Sequence, residues 1–287
     1  MDYLTKLSGK KVAVVGLGYI GSRLLSLLKS FQDKIDLTVL GIDRGNLSVI
    51  ATDEFDYLFN CAGNTGDFRQ QPIETVESNI QLNLYLLNKC KVKESLVCLS
   101  STRIYGFTED DLKIFNEEDS IGQDHLSLDA LYDNAKKLME CFVLNTPRDY
   151  KKVVVRLSNV FGNYELTDLD DSTFLKLMVR KKLQNENLMV RQNSNSTKDY
   201  IYIEDALEGI LRSGILSAAD DVYNICSGSS YSVQDWAEFL NSSIESVSDS
   251  PILYSRVSTR KAQEKLGFRV KQNLKNLRLA DIVNSGT

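Results

Sequence analysis

The sequence predicts an α/β protein: a Rossmann-type, doubly wound parallel sheet with a small C-terminal α/β substrate region. Apolar, β-branched runs alternate with helical patterns along the chain, which is typical of βαβ units and a parallel sheet. The first such run, Lys11–Val15, leads directly into a G-x-G-x-x-G turn. Only three prolines occur among the 287 residues, and no low-complexity segment separates the elements. A flexible linker between domains is therefore not expected.

The first strand, the glycine turn and the helix after it predict a dinucleotide site. In the turn, Gly16 permits a tight bend, Gly18 lets the backbone approach a pyrophosphate, and Gly21 lets helix and strand pack closely. The helix that begins around Tyr19 and Ile20 supplies backbone N–H groups and a partial positive charge to the phosphates. These five residues are the first candidates for cofactor binding.

The second predicted strand, residues 37–42, ends at Asp43, which lies 27 residues after Gly16. An acid near this position binds the adenosine ribose diol in dinucleotide folds. Asp43 therefore favours NAD, because its carboxylate repels the 2′-phosphate of NADP. Arg44 beside it could accept that phosphate, so NADP is not excluded.

The alternation of strands and helices continues through the rest of the chain. Pro72 opens a long helix, since proline is well tolerated in the first helical turn. Ser232, with Asp235 three residues later, is typical of a helix N-cap. The predicted strands are residues 56–61, 96–99, 153–157, 188–191, 200–203 and 222–225, and the predicted helices are residues 72–90, 126–144, 172–183, 204–215, 233–240, 261–266 and 274–282.

These elements suggest two regions. Residues 1–163 are expected to form a dinucleotide-binding domain, to which residues 196–227 return. Residues 164–195 and 228–287 are expected to form a small substrate-binding region. We expect this region to lie over the carboxyl ends of the strands, where open parallel sheets bind their ligands.

A tyrosine and a lysine one helical turn apart predict acid–base chemistry. Tyr132 and Lys136 are at i and i+4 of a predicted helix, so both side chains lie on one face. A phenol has a pKa near 10 and is a poor base at neutral pH. A nearby ammonium lowers that pKa, which would let Tyr132 move the proton of a hydroxyl group while a hydride moves elsewhere.

Composition excludes several other classes of protein. The net charge is -5, the pI is about 5.2 and no basic run occurs, which disfavours a nucleic-acid partner. No stretch approaches the ~18 apolar residues of a membrane helix, and the N-terminus does not resemble a signal peptide. The five cysteines form no C-x-x-C pair and fit buried thiols in the cytoplasm. His125 is the single histidine, which argues against a multi-histidine zinc site and, without a G-x-S-x-G elbow, against a serine hydrolase.

The ordered set of motifs resembles that of the extended short-chain dehydrogenase/reductases, in the NAD-dependent epimerase/dehydratase branch that acts on nucleotide-sugars. The resemblance covers nearly the whole chain. Its motifs are the glycine motif at residues 15–22, the cofactor loop Asn60–Gly63, the helix asparagine Asn79, the S-S-x-x-V-Y-G motif at residues 100–106, Y-x-x-x-K at Tyr132 and Lys136, R-x-x-N-V-Y-G at residues 156–162, R-D-F-I-H-V at residues 198–203 and the late L-G-W motif at residues 265–268.

The resemblance implies roles for particular residues. Tyr132 would move the proton of a sugar hydroxyl, Lys136 would hold the nicotinamide ribose, and Ser101 would hydrogen-bond the reacting oxygen. The implied cofactor is NAD and the implied substrate is a nucleotide-sugar. Cofactor contacts are also implied for Cys61, Ala62, Gly63 and Asn79, and substrate contacts for Thr102, Arg103, Asn159 and Lys198.

Departures from the family pattern narrow the reaction. The 4,6-dehydratases carry Asp-Glu where this chain has Thr102 and Arg103, which disfavours elimination of water. Enzymes resembling GDP-fucose synthase use a cysteine at the Thr102 position and a later histidine, and this chain has neither. The family arginine of R-D-F is Lys198, and the segment between Asp43 and Asp56 is short, so one strand–helix unit is missing or reduced.

The remaining hypothesis is hydride chemistry at one sugar carbon, which we expect to be C4. It covers 4-epimerisation with tightly held NAD and net oxidation or reduction of a hydroxyl or keto group; a 4-keto reductase or a dehydratase of the same family is the alternative. A non-catalytic NAD(P)-binding sensor is a separate alternative, because fold does not imply function. The resemblance also predicts a homodimer through a four-helix bundle. We expect a second apolar stripe on the two paired helices, formed by Leu82, Tyr85, Leu86, Leu138, Phe142 and Val143.

Overall fold

The computed structural model describes residues 2–63, 71–119, 130–169, 173–190, 193–246 and 250–283. Its strands are β1 (Lys11–Val15), β2 (Thr38–Ile42), β3 (Glu54–Asn60), β4 (Lys91–Ser101), β5 (Ile114–Phe115), β6 (Lys151–Leu157), β7 (Asn159–Phe161), β8 (Leu188–Val190), β9 (Thr197–Tyr202), β10 (Asp221–Ile225), β11 (Ser230–Ser232), β12 (Ile244–Ser246) and β13 (Tyr254–Val257). Its helices are α1 (Tyr19–Lys29), α2 (Gln32–Ile35), α3 (Val49–Thr52), α4 (Pro72–Val76), α5 (Leu82–Lys89), α6 (Ala130–Asn145), α7 (Phe174–Leu183), α8 (Ile203–Leu216), α9 (Val233–Leu240), α10 (Arg260–Leu266) and α11 (Leu279–Ile282).

The central sheet has six strands in the order β10-β6-β4-β3-β1-β2, and every pair in it is parallel. This confirms the predicted Rossmann-type sheet. The order reverses between β1 and β3, which is the switch point where such sheets bind ligands. Between β2 and β3 the chain forms only the four-residue α3, so β2 is the edge strand. The short segment after Asp43 thus explains why no strand lies beyond β2 within the described residues.

Residues of one strand alternate between two apolar layers, as a two-sided sheet requires. Val12 and Val14 of β1 face the layer that contains α1 and α8. Ala13 and Val15 face the opposite layer, with Leu86 of α5 and Met139 of α6. Burial of both faces explains why the strands read as continuous apolar runs in the sequence.

The C-terminal half builds a second sheet at the carboxyl edge of the first. This sheet has the order β11-β9-β13-β5, and β7 also pairs with β9. Helix α8 then packs on the central sheet, and β10 joins it beside β6. The N-cap predicted at Ser232 is present, and it is part of a capping box in which Ser232 and Asp235 bond each other's backbone N–H groups. Within the described ranges, no helix has the length and apolar character needed to cross a bilayer.

Candidate active site

The glycine turn between β1 and α1 has the close contacts that its motif predicts. Gly16 has φ +82°, and a Cβ there would lie 2.5 Å from Ala62 Cα. A Cβ on Gly21 would lie 1.9 Å from Gly16 O. Both positions therefore require glycine for packing of the protein itself. Gly18 differs, since a Cβ there would have no heavy atom within 4 Å; its surroundings leave room for a ligand.

The N-terminus of α1 faces this open space. Gly18 is the N-cap residue and provides no side-chain cap for the first N–H groups of the helix. Uncapped N–H groups and the helix dipole suit a diphosphate. Tyr19, the first residue of α1, instead directs its hydroxyl to the carbonyl of Gly162, 2.5 Å away. The turn thus fits a dinucleotide through its backbone, and the Tyr19 side chain ties α1 to the loop after β7.

Asp43 lies at the carboxyl end of β2, beside the glycine turn. The N–H of Gly16 donates to the carbonyl of Ile42 at 2.8 Å, which fixes this neighbourhood. The carboxylate of Asp43 accepts a hydrogen bond from Gly45 N at 2.8 Å and is exposed. Arg44 is also exposed. Asp43 and Arg44, which were predicted to lie near the adenosine ribose, therefore follow the carboxyl end of β2 directly.

The loop after β3 meets Asn79 and Lys136. A Cβ on Gly63 would lie 2.9 Å from Asn79 Oδ1 and 3.1 Å from Lys136 Nζ. The Cys61 N–H donates to Val15 O at 2.8 Å, which holds the loop beside the glycine turn. Burial raises the pKa of the Cys61 thiol to about 12, which favours the neutral thiol at pH 7.

A chain of side-chain amides positions Asn79, and two of its members, Asn60 and Asn83, were not among the predicted site residues. Asn79 lies in a π-helical turn, Glu77–Gln81, between α4 and α5. Asn83 donates its side-chain N–H to the Asn79 carbonyl at 2.9 Å, and it accepts a bond from Asn60 Nδ2 at 2.9 Å. Single π turns are frequent at functional sites. Asn60 and Asn83 are polar residues among apolar neighbours in the sequence, and this pattern could have marked them as functional.

Ser101, Tyr132 and Lys136 meet at the carboxyl end of β4. Ser101 is the last residue of β4, and α6 carries the other two on its buried face. The Lys136 ammonium donates to Leu99 O at 3.0 Å and lies 5.8 Å from the centre of the Tyr132 ring. The structure thus brings the three predicted catalytic residues together next to Gly63.

Burial dominates the acid–base properties of this group. It raises the pKa of Tyr132 to about 12, although a hydrogen bond with Ser101 and the charge of Arg103 act to lower it. Burial also lowers the pKa of Lys136 to about 8, although the carboxylate of Glu140 acts to raise it. The expectation that Lys136 gives Tyr132 a depressed pKa is therefore not met in the protein alone, because loss of solvation outweighs the nearby charges.

Behind the catalytic group lies a buried ion pair that sequence reasoning left without a role. Arg156 donates to both carboxylate oxygens of Glu140, with Nη2–Oε2 at 2.7 Å, and each side chain is only 6% exposed. Ser100 donates to Glu140 as well, and Arg156 also donates to the Tyr105 hydroxyl at 2.6 Å. One indication of a role for Glu140 was present in the sequence: it lies four residues after Lys136, and therefore on the same face of α6.

A cleft adjoins Ser101 and contains all four predicted substrate residues. Arg103 and Lys198 bring cations to it, and Arg103 Nε donates to Asp133 at 3.0 Å. Asn159 donates to the carbonyl of Asp199 at 2.8 Å. The cleft is lined by Ser101, Thr102, Arg103, Phe107, Ser158, Asn159, Lys198 and Ser255. Phe107, Ser158 and Ser255 were not predicted, because Ser158 is at a variable position of the motif at residues 156–162 and the other two lie outside the motifs.

Two predictions concern other parts of the chain. His125 lies outside the described residues.

Of the apolar stripe expected on α5 and α6, Leu86 and Val143 are instead fully buried in the protein's own core. Leu138 is 44% exposed. No cluster of three or more potential metal ligands occurs in the described part of the chain.

Comparison with known proteins adds to this geometry. Residues 12–226 match the family described as NAD dependent epimerase/dehydratase, which confirms the resemblance. The chain is 24% identical to UDP-glucuronic acid decarboxylase 5 of Arabidopsis thaliana over 239 residues, or 77% of this chain and 67% of that protein. Other curated relatives are matched over 47% to 66% of their lengths, so the chain spans about half to two thirds of them.

Solved structures share the fold. MoeE5, in complex with UDP-glucose and NAD, has a TM-score of 0.78 at 19% identity, with 95% of this chain and 97% of that chain covered. UDP-glucose 4-epimerase of Thermotoga maritima, solved with UDP-glucose, has a TM-score of 0.78 at 18% identity, with the same coverage. At such low identities these likenesses establish the architecture.

Proposed function

The chain belongs to the NAD dependent epimerase/dehydratase family, and on that premise we propose that it is an NAD-dependent nucleotide-sugar 4-epimerase. The observation that carries the proposal is the meeting of Ser101, Tyr132 and Lys136 between the open glycine turn and a polar cleft. Such a set can move a hydroxyl proton beside a bound nicotinamide, which a protein that only binds a dinucleotide does not need. NAD is the cofactor of the family.

The cofactor would lie along the edge formed by the ends of β1, β2 and β3. The N-terminus of α1 would hold the diphosphate at Gly18, and Asp43 would hold the adenosine ribose. Lys136, already beside Gly63, would hold the nicotinamide ribose. When bound, NAD supplies a hydride acceptor and a positive charge close to Tyr132. The open space at Gly18 supports this placement.

The protein's own residues would move the proton. Ser101 orients the substrate hydroxyl by a hydrogen bond, and Tyr132 takes its proton as the hydride leaves the same carbon. Because the pKa of Tyr132 is about 12 in the protein alone, it becomes a base only when positive charge is added near the phenol. After the sugar presents its opposite face, the hydride would return to the same carbon and Tyr132 would return the proton to the oxygen, so that the configuration is inverted without net redox change.

The names of relatives support a nucleotide-sugar substrate. A curated relative is a UDP-glucuronic acid decarboxylase, and a structural neighbour is a UDP-glucose 4-epimerase. We favour epimerisation because Thr102 and Arg103 replace the acidic pair of the dehydratases. Reduction of a 4-keto sugar by the same residues is the second candidate, since Ser101, Tyr132 and Lys136 serve either direction of hydride transfer.

The proposal is tested by incubating the purified protein and NAD with UDP-, GDP-, CDP- and dTDP-hexoses and following the sugar by NMR. The expected result is a 4-epimer with no net change in NADH absorbance. Steady NADH formation or consumption would instead identify a dehydrogenase or reductase. If NAD binds and no nucleotide-sugar binds or reacts, the proposal is wrong and a sensor becomes the better reading.

We also propose a homodimer. Apolar side chains remain exposed on the outer surface of the α4–α5 and α6 helices, which are neighbours in the fold. Their exposure is high for residues of this size. They are Ile73 at 69%, Leu84 at 36%, Leu131 at 36% and Leu138 at 44%. Of the stripe predicted from the sequence, Leu138 is exposed, Leu82, Tyr85 and Phe142 are half-buried, and Leu86 and Val143 are buried.

A further inference from the structure

We propose that Arg103 is a specificity-determining residue that binds a carboxylate on the substrate sugar, so that the substrate is a nucleotide-linked uronic acid. The inference rests on the proposed function, because it takes the cleft beside Ser101 as the sugar site. It assigns Arg103 a role through the chemistry of its side chain and of its surroundings.

Arg103 lies close to the residues proposed to act on the substrate. It follows Ser101 by two residues, in the short 3₁₀ turn Thr102–Tyr105. Its backbone N–H donates to Ser101 Oγ at 3.2 Å, so its position is tied to the hydroxyl that orients the substrate. Its guanidinium carbon lies 5.9 Å from the centre of the Tyr132 ring. A cation thus lies within one sugar ring's reach of both groups that act on the reacting carbon.

A buried carboxylate holds the guanidinium of Arg103 in place. Arg103 Nε donates to Asp133 Oδ1 at 3.0 Å. The Asp133 side chain is 3% exposed, whereas that of Arg103 is 29% exposed. A ligand in the cleft therefore meets the guanidinium and not the carboxylate that anchors it. An anchored guanidinium is prepared for binding, because its side-chain freedom is already reduced.

The lining of the cleft carries positive charge. None of the described residues that line the cleft is acidic, and two are cationic. Lys198 lies against Phe107, with Nζ 5.5 Å from the ring centre, whereas Arg103 lies against Tyr132. Lys198 and Arg103 thus contact different aromatic rings. Asp133 balances part of the Arg103 charge from its buried side, and the described lining of the cleft contains no carboxylate that would repel an anionic group of the substrate.

The side chain of arginine suits the binding of a carboxylate and does not suit proton transfer. A guanidinium stays protonated at all accessible pH values, so Arg103 cannot act as a catalytic acid or base. Its planar N–H groups match the two oxygens of a carboxylate. A neutral CH₂OH group offers neither the charge nor the paired acceptors. The residue therefore discriminates between a hexose and its uronic acid and leaves the proton transfer to Tyr132.

Isothermal titration of the NAD-loaded protein with UDP-glucose and UDP-glucuronic acid tests this inference. The wild type should bind the uronate about 10- to 100-fold more tightly, the size expected for charged hydrogen bonds. Arg103→Met should remove that preference, so that the two UDP-sugars bind with similar affinity. Arg103→Lys should retain part of it, since a point charge replaces a paired donor. Arg260→Met, at a residue 81% exposed on α10, is the matched control and should change nothing.

The outcomes separate the two proposals. If the wild type binds both UDP-sugars equally, or prefers UDP-glucose, the carboxylate role of Arg103 is wrong while the nucleotide-sugar function stands. If the preference persists in Arg103→Met, another residue carries it and the inference is wrong. If neither sugar binds although NAD does, the proposed function fails and this inference with it. Should Arg103→Met unfold because Asp133 loses its partner, the wild-type ratio and Arg103→Lys still decide.

Discussion

The two halves of the site are built in different ways. The cofactor edge at β1 and α1 is a backbone structure, in which two glycines pack against protein and Gly18 faces open space. The catalytic edge at β4, α6 and β6 is a side-chain structure, in which Lys136, Glu140 and Arg156 are all buried. A backbone site binds by shape and dipole, whereas a side-chain site needs every buried charge to be paired.

This difference predicts different responses to substitution. Changes at the cofactor edge should act through steric contact and be local. Changes at the catalytic edge should leave buried charges without partners, and should therefore affect the stability of the whole fold.

Glu140→Gln should lower the free energy of unfolding by about 3–5 kcal/mol, because it leaves the buried Arg156 guanidinium uncompensated. Urea unfolding at pH 7 measures this effect. Glu264→Gln is the control, since Glu264 pairs with Arg260 at 2.7 Å on an exposed surface and should contribute less than about 1 kcal/mol. Equal losses in the two variants would contradict the contrast between the two edges.

Gly21→Ala and Gly18→Ala should separate packing from binding. Gly21→Ala forces a methyl group against Gly16 O and should destabilise the fold by about 1–3 kcal/mol. Gly18→Ala has room in the protein, with φ -75°, and should leave stability within about 0.5 kcal/mol. It should nevertheless weaken NAD binding about tenfold or more, since the methyl group occupies the expected place of the diphosphate. Unchanged NAD affinity in Gly18→Ala would place the cofactor elsewhere.

The affinity for NAD should depend on pH through Lys136. Its pKa of about 8 means that the ammonium loses its proton as the pH rises through that value. Affinity should then fall by up to about tenfold per pH unit, and Lys136→Met should show weak, pH-independent binding. The unfolded lysine keeps its proton up to about pH 10.5, so this group makes the free protein more stable as the pH rises from 8 to 10.5. Fluorescence titration of NADH across this range provides the measurement.

Leu138→Glu should have the smallest effect on the fold, because the side chain is 44% exposed. It should convert the proposed homodimer to a monomer in sedimentation velocity, since it places a charge in the apolar surface of α6. Met189→Glu is the matched control, at a residue 64% exposed on β8. A wild type that is already monomeric at micromolar concentration would refute the dimer.

The two edges also differ in how far the sequence predicts them. Strand β1 was predicted with its observed bounds, and the roles of Gly16 and Gly21 followed from local spacing. The pairing of Glu140 with Arg156 could not be predicted in this way, because it depends on how α6 crosses β6. Likewise, the direction of the Tyr132 pKa required the burial of the phenol, which the Y-x-x-x-K spacing does not specify.

The central claim is that Tyr132 moves the substrate proton, and Tyr132→Phe tests it most directly. The substitution removes the hydroxyl and keeps the ring. On any nucleotide-sugar that the wild type converts, turnover should fall by about 10²–10⁴, with the dissociation constant for NAD nearly unchanged. Wild-type turnover in Tyr132→Phe, with folding intact by circular dichroism, would contradict the mechanism.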